Sequence, residues 1–266
     1  MKKIILISIA AVLIAVGLFL ILFEPVSNEI GKQEAHKLVD EFEEVIAQAQ
    51  KETPKEKKKT KKNESSAESG ADSSTYTYSS GSDYVPDRPT RESLERLLED
   101  SKAYNKKLVS NQGTVKTSNY RKAALNLRNY GITSNIFCYI SAPKIGMKLP
   151  VYLGASDSVL NSGAAHLSYT SLPVNQKSTN CVIAAHTGYI GRTYFDNIHI
   201  LTAGDEVMIR NYSQTIHYKV IEKKIVKPED TRDLYIQYGR QLLTLYTCIR
   251  NNKGDFDRCI VICEKK

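Results

Sequence analysis

The sequence has no tryptophan, no Cys-x-x-Cys pair and no Cys/His run at metal-ligand spacing. Its five cysteines are an odd number, scattered between Cys138 and Cys263. Together these absences exclude a zinc-ribbon core and a small scaffold stapled by a disulfide framework. Cys259 and Cys263 are the nearest pair. Four residues apart on one strand, they share a face but lie ~13 Å from each other, too far to bridge. No acidic cluster argues for calcium, and there is no internal repeat. Long apolar runs are lacking as well, with one exception at Ile4–Phe23. Positive charge is in excess, at a formal +8, but seven lysines crowd into Lys51–Lys62. A charge excess concentrated in one polar segment is not the footprint of a nucleic-acid-binding surface, so no nucleic-acid partner is expected.

What is present divides the 266 residues into six stretches. Residues 1–3 carry two lysines and are expected on the cytoplasmic side, because flanking positive charge holds that end inside. Residues 4–23 are long enough to span a bilayer core and are expected to anchor the chain. A cleaved signal would end at a small-x-small site, and Phe23 instead runs straight into Glu24-Pro25. Residues 24–50 place Leu38, Val39, Phe42, Val45, Ile46 and Ala49 at helical spacing, and are expected to form an extracytoplasmic stalk helix. Residues 51–89 are rich in Lys and Ser, poor in anything that buries, and read as a disordered tether. Residues 90–130 hold a second helical pattern, Arg91 to Leu108. From 131 to 266 the texture is that of short β-branched strands parted by turn signals. Phe137–Ala142, Met147–Leu153, Thr179–Ala185, Glu206–Arg210, Thr215–Val226, Leu242–Thr247 and Cys259–Cys263 are expected strands, and seven or eight of them in ~130 residues predict a closed or nearly closed barrel, a mainly β fold.

Chemistry concentrates near the C-terminus. Cys248 ends the apolar run Leu242–Thr247, a polar cluster at Asn251–Asp255 follows, and Arg258 opens the next strand. A thiol becomes a good nucleophile only beside a base or a positive charge. His186, at the end of CVIAAH, is the candidate base; Arg258 is the candidate cation, with Arg250 as its competitor.

TLYTC (244–248), AAHTGY (184–189) and DRCIVICE (257–264), together with AAHLSYTSLP (164–173) and VKPEDTRDLY (226–235), resemble the sortases, and most of all the class C, pilin-polymerising branch. The likeness spans roughly residues 130–264. It implies a sortase-type closed β-barrel and a cysteine transpeptidase with Cys248 as nucleophile, His186 as proton carrier and Arg258 as oxyanion and backbone holder. It further implies Thr247 as a substrate-binding, positioning residue and His166 as a structural or substrate-lining one, and no cofactor or metal. The implied donor is a secreted protein with an LPxTG-like sorting signal. The implied acceptor is the amine of a pilin lysine or of a cell-wall precursor, at the membrane of a Gram-positive cell. Two features depart from class C: no Asp-Pro-aromatic lid motif occurs between Glu24 and Tyr130, and no second apolar helix precedes Lys266. Competing readings are an extracellular cysteine protease that uses water as acceptor and a non-catalytic adhesin on a β-barrel scaffold.

Overall fold

The computed structural model describes residues 2–51, 86–112, 120–189 and 191–266, with side chains of the first helix from residue 12 onward. The tether expected over residues 51–89 lies almost wholly outside the described residues. Among them, eight strands close a barrel in the order β1-β2-β3-β4-β7-β8-β6-β5. The strands are β1 Ile136–Ala142, β2 Met147–Leu153, β3 Ala164–His166, β4 Thr179–Ala184, β5 Glu206–Asn211, β6 Thr215–Val226, β7 Gln241–Arg250 and β8 Phe256–Lys265. Two neighbouring pairs, β2–β3 and β4–β7, are parallel; the other six are antiparallel. A closed, mainly β barrel is the architecture anticipated from the strand spacing. β3 is an addition to the expected strands: Ala164-Ala165-His166 is too short to display an alternation.

Alternation does fix which face each residue takes. Leu243 and Leu245 on β7, Cys259, Val261 and Cys263 on β8, and Cys181 and Ile183 on β4 fill the barrel interior. Their neighbours in sequence point outward and form two smaller apolar clusters. One gathers Ala165, Val182, Ala184 and Leu234; the other gathers Leu242, Ile260 and Ile262. Tyr246 packs against both.

The long β7 and β8 are a hairpin, closed by a built turn rather than by a loose loop. Asn251 N–H donates to the Asp255 carbonyl at 2.8 Å, the Asn251 side-chain oxygen accepts from the Lys253 and Asp255 N–H groups at 3.0 Å each, and Gly254 takes a φ of 87° that favours glycine. Pairing therefore continues past Thr247 and begins before Cys259. Cys248 and Arg258, expected at strand ends, lie inside the ladder and face each other across it.

Two helices flank the barrel. α1, Lys2–Lys51, runs through Pro25, which removes one backbone donor without ending the helix. The apolar segment and the expected stalk are thus one element. Nor does its second half stand free. Val39, Phe42, Ile46 and Ala49 are buried in the main core, and Phe42 meets the rings of Tyr139 and Tyr212 at 6.0 and 4.5 Å. Around this seam Glu43 accepts from the Tyr139 hydroxyl at 2.9 Å, Asp40 pairs with Lys148 at 3.5 Å and Glu34 with Arg192 at 2.5 Å. The helical spacing of residues 35–49 is a docking face for β1 and β2. α2, Arg91–Val109, starts at a capping box in which Thr90 and Ser93 satisfy each other's backbone N–H groups. Its Asn105 side chain holds both the N–H (2.7 Å) and the carbonyl (3.0 Å) of Leu172, which fixes the segment between β3 and β4.

Candidate active site

The site is assembled by register. β4 and β7 run parallel with Ala184 opposite Tyr246, and the Ala185 N–H continues the ladder to the Tyr246 carbonyl at 3.3 Å. Two residues beyond those partners come His186 on one strand line and Cys248 on the other. β7 and β8 run antiparallel with Cys248 directly opposite Arg258. Three neighbouring strands thus deliver His186, Cys248 and Arg258 to one end of one outer face. This is the set picked out in the sequence.

Cys248 is half-buried, whereas the other four cysteines are buried. Burial pushes the thiols of Cys138, Cys181, Cys259 and Cys263 up and keeps them protonated, inert core groups. Cys248 is therefore the one cysteine of the five that solvent reaches. The His186 ring stacks on Tyr189, with centroids 5.5 Å apart and planes 11° apart. The loop that follows is clamped: the Asp196 carboxylate accepts from the Gly188 N–H at 2.7 Å and the Tyr194 N–H at 2.9 Å, and the His186 carbonyl accepts from the Phe195 N–H at 3.0 Å. The Arg258 guanidinium donates through Nε to the Tyr246 hydroxyl at 2.9 Å and through Nη1 to the Phe256 and Asp257 carbonyls at 3.3 and 3.2 Å. Arg250, the competing arginine, is exposed and faces Phe256 near the hairpin turn, one register step beyond Ile249.

The two expected substrate-binding positions, Thr247 and His166, are both buried. Thr247 points to the opposite face from Cys248 and is buried. Its hydroxyl donates to the Ala185 carbonyl at 2.6 Å and lies 2.6 Å from the Thr187 hydroxyl. It ties β7 to the residues on either side of His186, from beneath. His166 is fully buried, with Nε2 3.1 Å from the Ser171 carbonyl and 3.2 Å from Thr170 Oγ1. It braces the segment after β3. Strand alternation could have placed Thr247, since it is one residue from Cys248 and so on the other face. Sequence reasoning missed Tyr246; its place two residues before the cysteine, on the same face, was the available signal.

A sortase-domain family model matches residues 140–266. Sortase D of Bacillus subtilis is 25% identical over 160 residues, 60% of this chain and 76% of that protein. Among solved structures, the pilus-related sortase C of Group B Streptococcus is 33% identical with a TM-score of 0.59, over 66% of this chain and 91% of that one. The chain belongs to the sortase family. A sortase C of Clostridium perfringens, solved with the C-terminal cell wall sorting motif, is similar too, with a TM-score of 0.57, 29% identity and coverage of 66% of this sortase and 91% of that chain. Both solved structures are matched over nearly their full length.

Proposed function

We propose that this sortase is a membrane-anchored cysteine transpeptidase that cleaves an LPxTG-like sorting signal and passes the acyl group to an amine. The observation that carries this reading is the register of β4, β7 and β8, which aligns a half-buried thiol between a histidine and an arginine. Cys248, its thiol proton taken up by His186, attacks the threonyl carbonyl of the signal, and the Thr–Gly C–N bond breaks as the thioester forms. The Arg258 guanidinium stabilises the oxyanion that develops on that carbonyl, and its planar fork suits the task better than an ammonium. His186 gives its proton to the departing glycyl amine, then takes one from the incoming amine as that nitrogen displaces the sulfur. The acceptor is a pilin lysine or a cell-wall precursor peptide. Pilin lysine is favoured by the likeness to class C structures, one of them a pilus-related enzyme. The apolar first half of α1, long enough to cross a membrane, would keep the barrel on the extracellular side.

The test is product analysis. The full chain in detergent is incubated with an LPxTG peptide, with and without a triglycine acceptor. The expected outcome is an aminolysis product only when the amine is present. Hydrolysis alone, unaffected by amine, would make the chain a cysteine protease; no cleavage by a folded chain would favour the adhesin reading. His186→Ala should lower turnover by about 10²–10⁴-fold, the usual range for a general acid–base.

A further inference from the structure

Arg258 and Cys248 are ladder partners, yet the guanidinium does not hang free beside the thiol. Its Nε–H goes to the Tyr246 hydroxyl at 2.9 Å and its carbon lies 5.9 Å from the centre of the Tyr246 ring. Nη1 is occupied by two carbonyls of its own strand, Phe256 and Asp257. A guanidinium has five N–H donors in one rigid plane. Three are used, on the Nε and Nη1 sides. Among the described residues Nη2 has no hydrogen-bond partner, so its two N–H groups remain for a substrate oxygen.

Tyr246 is well placed to fix that plane. It is anchored at its ring, which packs against both outer apolar clusters, so the hydroxyl's position is set by packing on β4 and β8. Burial pushes its phenol up from the ordinary value, which keeps it a neutral hydroxyl. Having accepted from Arg258, that hydroxyl keeps its own proton as a donor on the face that carries Cys248. No charge is created and no proton is moved.

We infer that Tyr246 is the positioning residue of the site: its hydroxyl pins the Nε edge of Arg258 and so aims the Nη2 edge at the carbonyl oxygen attacked by Cys248. This rests on the transpeptidase reading above. Without the tether, the arginine would sample rotamers in which Nη2 faces solvent, and preorganisation of the donor would be lost.

The experiment compares wild type with Tyr246→Phe, Arg258→Lys and the double variant, using the full chain in detergent and an LPxTG peptide. Tyr246→Phe keeps the ring and removes only the hydroxyl. It should slow acyl-enzyme formation roughly tenfold, as expected for one lost charge-assisted hydrogen bond, with the loss in kcat and KM within about twofold. The rate at which iodoacetamide labels Cys248 should be unchanged, because small-molecule alkylation needs no oxyanion donor. In the Arg258→Lys background the same change should cost less than about twofold, since the group it positions is gone. Full additivity of the two changes, or wild-type acylation by a folded Tyr246→Phe chain, would overturn the inference while leaving the transpeptidase reading intact. A matching drop in alkylation and melting temperature would also overturn it, by showing that the hydroxyl merely holds the hairpin together. Failure of the wild type itself to acylate would overturn the reading and the inference with it.

Discussion

His166 is a ring with no place for a second proton. Nε2 has the Ser171 carbonyl and Thr170 Oγ1 within reach, so the network assigns the proton to Nε2 and leaves Nδ1 bare, buried and unpartnered. Burial lowers its pKa from the usual 6.5 to about 4. Protons bind more readily to the unfolded chain than to the folded one between those two values. The contribution to stability is therefore complete above pH 6.5 and is lost as pH falls towards 4, at about 1.4 kcal/mol for each pH unit crossed. Melting curves from pH 7.5 to 4 should fall more steeply for the wild type than for His166→Gln; parallel curves would show that the ring titrates normally. Thr247 makes a second prediction. Thr247→Val deletes the bonds to Ala185 and Thr187 without changing the outer face, so peptide turnover should fall several-fold while iodoacetamide still labels Cys248. Undiminished turnover would mean that the His186 segment needs no support from beneath. At this scale the sequence exposed the proposed trio of His186, Cys248 and Arg258, because each lies in a short, distinctive string. It offered Thr247 and His166 as substrate-binding positions without revealing that both are buried. Their identity in a motif says that they matter, whereas which face they take depends on register and burial.

At the scale of elements, the β7–β8 hairpin and α1 differ in how much of them is legible. Leu242–Thr247 and Cys259–Cys263 are apolar and β-branched, so both strands are visible in the sequence. Their extension to Arg250 and Phe256 is not, because polar residues there are held by the Asn251 turn rather than by burial. For residues 24–50 the spacing reveals a helix with an apolar face, and nothing in the string says what that face meets. It meets the barrel. Phe42 is 3% exposed between Tyr139 and Tyr212, and Phe→Ala at such a site costs about 3–5 kcal/mol when the neighbours cannot collapse into the space. Phe42→Ala should therefore lower the melting temperature clearly, and removal of residues 2–51 should lower it at least as much. A truncated chain that melts like the full one would mean that α1 rests on the barrel without stabilising it. A cut near Ser110, which also removes the Asn105 clamp on Leu172, should lower the melting temperature further.

At the scale of the whole molecule, the apolar half of α1 and the docked half form one continuous helix, so the barrel is attached directly to the proposed anchor. Residues from Val12 to Val26 leave large apolar side chains exposed, Ile21 among them at 72%. Contiguous apolar surface of that kind is expected to enter lipid. In cells the full chain should fractionate with membranes and its barrel should be cleaved by protease added outside; a soluble chain, or a protected barrel, would contradict the anchor and its orientation. Farther along, α1 reaches the loop after His186. Gly31 packs so closely on the Gly191 carbonyl that a Cβ there would approach within 2.2 Å, and Glu34 pairs with Arg192. Whether Cys248 carries an acyl group between two peptides is read out by intact-protein mass spectrometry of the full chain with an LPxTG peptide in the absence of amine. An adduct of the peptide's acyl mass is expected on Cys248, discharged by triglycine and absent from a folded Cys248→Ala chain. An adduct on another residue, or cleavage that persists in Cys248→Ala, would contradict this role of Cys248.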